Sequence, residues 1–60
     1  MIQVKVVREI TESYFESKFK EAMETLKERK IRGIHFDASA TIDKNNNPVV
    51  AFAAFITYES

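Results

Sequence analysis

The sequence predicts an α+β domain of strand-helix-strand-strand order (βαββ), with a three-stranded antiparallel sheet ordered 1-3-2 and one helix packed on one of its faces. Three observations carry this expectation. Phe15, Phe19, Ala22, Met23 and Leu26 recur at helical period and make one apolar stripe. Two strand-like segments flank Asp43-Lys44-Asn45-Asn46-Asn47-Pro48, a run whose Asn and Asp tolerate left-handed backbone and whose Pro cannot continue a ladder. The last segment, Val49 to Tyr58, is apolar on both of its alternating faces, which suits the centre of the sheet.

The first strand is expected over residues 2–8, with Ile2, Val4 and Val6 on one face and Gln3, Lys5 and Val7 on the other. The more apolar set is assigned to the core. The helix follows, with Ser13 and Glu16 at capping-box spacing and Thr11 as an alternative cap. Glu16 precedes Lys20 by one helical turn, a favourable orientation on the solvent face. Lys27, Arg29 and Lys30 are assigned to the last turn, where positive charge suits the helix dipole, and Gly33 to the helix end or the start of the next strand. The second strand is read from about Ile34 to Ile42, with Ile34, Phe36, Ala38, Ala40 and Ile42 facing the core. After the turn, Val50, Phe52, Ala54, Ile56 and Tyr58 continue that core face. The opposite, open face then shows Val7, His35, Asp37, Ser39, Thr41, Ala51, Ala53 and Phe55, beside Lys5. These eight are the candidate interface residues, because one helix covers only one side of a sheet. Small residues at the centre of that face suit a second sheet packed about 10 Å away.

Sixty residues make one domain, 1–60, with no room for a second core. A chain this short is marginal alone and needs disulfides, a structural metal or oligomerisation. It has no cysteine, and His35 is the only soft ligand for zinc. Self-association is the remaining remedy, so a homodimer or higher homo-oligomer is expected. Nine basic and nine acidic residues balance to zero, which argues against a nucleic-acid partner. No stretch approaches the roughly 20 apolar residues of a membrane span, and Lys5, Arg8 and Glu9 break up any signal-peptide pattern, so no membrane partner and a cytoplasmic location are expected.

His35 is the only histidine, and with Asp37, Ser39 and Thr41 it forms a polar row. A catalytic reading of that row conflicts with strand geometry. Residues two apart lie about 6–7 Å apart along the backbone, whereas a general base must reach its proton donor within about 3 Å. The row is read instead as a solvated or interface row. The basic run Lys27 to Arg32 is diluted by Glu28, and the acidic Glu9, Glu12 and Glu16 fit a helix start better than a metal site. One glycine cannot build a phosphate-cradling loop. No catalytic residue, metal ligand or cofactor is therefore assigned.

The chain resembles a family of very short sporulation-associated proteins of Bacillus-type bacteria and their phages. The likeness lies in the opening Met-Ile-Gln-Val-Lys-Val, the amphipathic helix, Ile34-His35-Phe36, and the closing Phe55-Ile56-Thr57-Tyr58. In layout it is also similar to the dodecins, flavin-binding oligomers whose helix start looks like Thr11-Glu12-Ser13-Tyr14-Phe15-Glu16. Dodecins stack flavin on a tryptophan near the second strand; this chain has none and carries His35-Phe36 there. The function expected is a small, non-enzymatic, homo-oligomeric interaction protein, such as a phage or Bacillus-type accessory protein that binds and inhibits a host protein. The alternative is a dodecin-like oligomer holding a flavin or nucleotide between subunits, with His35 or Phe36 stacking and Asp37, Ser39 or Thr41 donating or accepting hydrogen bonds.

Overall fold

The computed structural model describes residues 1–60 as β1 (Ile2–Glu9), α1 (Glu12–Thr25), β2 (Lys30–Ile42) and β3 (Pro48–Glu59). The sheet order is β1-β3-β2 and both pairings are antiparallel, so the expected α+β class, topology and central strand are all observed. The β3 strand is central because it alone is apolar on both faces; β1 and β2 each carry a polar row that an edge can expose.

Cross-strand partners in a sheet share a face, so the register assigns every side chain to one side. Ala54 lies between Val7 and Phe36, and Ile56 between Lys5 and Ile34. This is the helix side: Val7, Ala54 and Ile56 close against Ala22 and Leu26, with Phe15, Phe19, Met23, Ile31 and Tyr58 packed around them. Phe15 meets Phe52 at 5.9 Å between ring centroids, and Phe19 meets Phe36 at 5.3 Å. The helix lies over β1 and β3 and reaches β2 only through such long side chains.

The face assignment of β1 is the reverse of the one its composition suggests. Val7 is 7% exposed beneath the helix, whereas Ile2, Val4 and Val6 stand on the open face, each more than half exposed. Two adjacent valines, Val6 and Val7, let either parity supply a core residue. The pairing with β3 decides, and a one-residue change of register exchanges the whole set.

The helix begins two residues earlier than the Ser13–Glu16 capping-box spacing indicates, at the alternative cap Thr11. Thr11 is the N-cap in extended backbone (φ −118°, ψ 126°), without a side-chain cap hydrogen bond, and Ser13 lies inside the first turn. The link from β1 is only Ile10-Thr11, so the helix must start at once, and Phe15 N–H donates to the Thr11 carbonyl at 2.8 Å. It ends at Thr25, before the basic cluster, because Lys27 to Lys30 offer nothing to extend the apolar stripe. Lys27 turns back to Glu24 at 2.9 Å, and β2 starts at Lys30, four residues ahead of its expected start. Gly33 therefore lies within β2, beside a bulge at Ile31–Gly33. The extra residue there lets Ile31 and Ile34, three apart, both face the helix side.

The hairpin turn forms where the Asn-rich run places it. One Asp43 carboxylate oxygen accepts from the N–H groups of Asn45 and Asn47, both at 2.9 Å, and Asn46 takes the left-handed conformation (φ 65°). Beyond Phe52, the last β3 residue paired with β1, β2 and β3 continue as a two-stranded ribbon, which lengthens the molecule to 39 × 18 × 14 Å.

Candidate interaction surface

The open face of the sheet is built by alternation alone. Phe55 stands between Val6 and His35, Ala53 between Arg8 and Asp37, and Thr57 between Val4 and Gly33. Further along the ribbon, Ala51 pairs with Ser39 and Val49 with Thr41. The predicted residues His35, Asp37, Ser39, Thr41, Ala51, Ala53 and Phe55 are thus brought together on one face. Val7 is the exception and a correction: it belongs to the core beneath the helix, because its register partner Ala54 faces that way. Lys5 shares that side.

Sequence reasoning missed Ile2, Val4 and Val6, which give the open face its apolar flank. Their exposures are 54%, 56% and 53%, and Phe55 beside Val6 is 38% exposed. The face is therefore divided lengthwise: an apolar row on β1, small apolar residues with Phe55 on β3, and a polar row on β2. The His35 and Phe55 ring centroids lie 6.2 Å apart, with the planes tilted by 40°, across the boundary between rows. At the strand ends, Arg32 pairs with Glu59 at 3.3 Å and closes the face with charge.

Two hollows flank this surface. One, of about 290 Å³, lies on the helix side at the root of the ribbon, lined by Phe15, Phe36, Ala38 and Phe52 with Asp37 and Ala53. The other lies between the outer edge of β1 and the helix, where Lys5, Arg8 and Lys18 are interspersed with Glu9 and Glu21. Lys18 reaches Glu21 at 4.0 Å, so the carboxylates offset the positive charge there. No three His, Cys, Asp or Glu side chains gather as metal ligands, and no helix is long and apolar enough to cross a membrane.

A family model described as "Sporulation protein Cse60" matches residues 1–60. The chain belongs to that family. The match covers the whole βαββ unit, so the open face lies within the part of the chain that defines the family. No curated protein and no solved structure matches the chain.

Proposed function

We propose that the protein is a non-enzymatic, cytoplasmic interaction module of sporulation that works as a homo-oligomer, with the open sheet face as the contact between copies. The observation that carries this reading is the placement of Ile2, Val4 and Val6 beside Ala53 and Phe55 on the side that no helix covers. Surface area supports it. A monomeric fold of 6.9 kDa ordinarily exposes about 4,000 Å². This chain exposes 4628 Å². The excess, about 600 Å², is of the order of the roughly 800 Å² that each partner contributes to a standard interface. A second copy is the occupant that supplies a matching apolar flank and a matching set of small central residues.

Under the same reading, the assembled protein is an accessory factor that binds and restrains another protein of the host cell or its phage. The support is a second set of exposed apolar residues on the helix side, Ile42 and Val50 on the projecting ribbon and Phe36 short of its root. A second reading, retention of a flavin or nucleotide in the dodecin manner, is favoured by the 290 Å³ aromatic hollow, whose size is at the lower limit of small-molecule sites.

Native mass spectrometry of freshly purified protein tests these readings together. The expected spectrum shows multiples of 6.9 kDa without added mass, and Phe55→Glu returns it to the monomer, because a buried unpaired charge costs several kcal/mol. A ligand-sized mass increment would favour the second reading, and a monomer at micromolar concentration would remove the first.

A further inference from the structure

The outer edge of β2 is the longest unpaired backbone edge in the molecule. This strand spans Lys30–Ile42, pairs only with β3, and is not overlain by the helix backbone. Its bulge lies at Ile31–Gly33, so the ladder is regular from Gly33 to Ile42, and that stretch contains neither proline nor lysine. Natural sheets blunt their edges with bulges, proline, lysine or a covering element. The β1 edge is shorter, carries Lys5 and Arg8, and runs beside the helix. The regular part of β2 carries Asp37 as its one acidic residue and has none of the other devices.

The side chains along this edge indicate what joins it. When a strand pairs antiparallel with its own copy about a two-fold axis perpendicular to the sheet, one residue faces itself and the residues on either side of it face each other. With His35 on the axis, two imidazoles oppose. With Asp37 on the axis, two carboxylates oppose, which is destabilising. With Phe36 on the axis, His35 faces the partner's Asp37 on both sides of it, and Ile34 faces the partner's Ala38. This register also covers Phe36, which remains 57% exposed despite its contact with Phe19.

From this complementarity we infer that a second copy of the chain adds along the β2 edge with Phe36 on the two-fold axis, forming a continuous six-stranded sheet with both helices on one side. This contact is separate from the open face and does not depend on it. The two are compatible: six-stranded sheets joined at β2 present a doubled open face, and each His35 reaches that face already paired with a carboxylate.

The absence of cysteine makes a direct test available. Phe36→Cys places a thiol on the axis, where the Cα atoms of facing residues lie about 4.5–5.5 Å apart, within the roughly 4.4–6.8 Å that a disulfide spans. Mild oxidation is expected to convert most of this variant to a covalent dimer. Ala38→Cys, on the same face, lies about four residue rises, roughly 14 Å, from its own mate and is expected to remain monomeric on a non-reducing gel. Equal cross-linking at the two positions, or none at position 36 in folded protein, overturns the register. A charge exchange provides a second readout that leaves Phe36 in place. Asp37→Lys and His35→Asp are each expected to weaken dimerisation at least tenfold in sedimentation, and His35→Asp combined with Asp37→His to recover it; failure to recover overturns the pairing. In a Phe55→Glu background, cross-linking at position 36 persists if the edge contact stands alone, so a failed open-face contact and a failed edge contact give different results.

Discussion

The two sides of this sheet differ less in composition than in what covers them. On the helix side, Ala54 and Ile56 are fully buried and Val7 nearly so, closed by Ala22 and Leu26 from α1. On the other side, Val4, Val6 and Phe55 offer comparable apolar surface and are left in solvent. A monomer stabilised only by its own core would place the richer β1 set, Ile2, Val4 and Val6, beneath the helix. The chain instead assigns Val7 to that position and the richer set outward. With only five buried residues in its cluster, the helix side alone makes a thin core, and the arrangement of β1 follows naturally if the open side is a second core shared between copies.

Adjacent residues on β3 separate the two sides experimentally. Ile56→Ala removes buried methyl groups from the helix side and is expected to destabilise the fold by roughly 2–5 kcal/mol. Denaturant titration should return the same loss at every protein concentration if the helix-side core belongs to each chain. The neighbouring Phe55→Ala is expected to produce a smaller loss that grows with concentration, because association adds stability only where the unmodified protein is assembled. A concentration-independent loss at Phe55 would mean that its ring serves the chain's own fold. The smallest effect is expected from Asp43→Ala, which lies on neither face. Losing the carboxylate that receives two turn N–H groups should cost on the order of 1–3 kcal/mol, read as a lower melting temperature that is also insensitive to concentration. It serves as the reference against which the Phe55 behaviour is judged.

Much of this architecture was legible in the residues. The helical stripe from Phe15 to Leu26, the Asn-rich turn and the two-faced β3 lead directly to the order β1-β3-β2, because each is a local signal whose meaning does not depend on distant partners. Seven of the eight candidate interface residues fall on the open face for the same reason: once β3 is central, alternation carries through the hairpin. The β1 parity was not legible in this way. Val6 and Val7 are adjacent and equivalent in local preference, and only their pairing with Phe55 and Ala54 distinguishes them. The end of the helix was also obscured, since Lys27 to Arg32 satisfies the dipole rule for a last turn and equally tolerates the turn and bulged strand that form there. Of the two readings of Gly33, the strand entry and not the helix end is the one observed: it borders a bulge near the start of β2 with no positive φ.

Whether the open face is buried between copies is measured most directly at the exposed β1 flank. In an isolated chain, Val4→Lys exchanges one residue that is more than half exposed for another, and its effect on stability should stay within about 0.5 kcal/mol. In an assembly it places a charge inside the contact. Sedimentation equilibrium at micromolar concentration is expected to give a multiple of 6.9 kDa for the unmodified protein and a lower assembly state for Val4→Lys, with the far-ultraviolet circular dichroism unchanged. The same mass for both, or 6.9 kDa for the unmodified protein, would contradict the account.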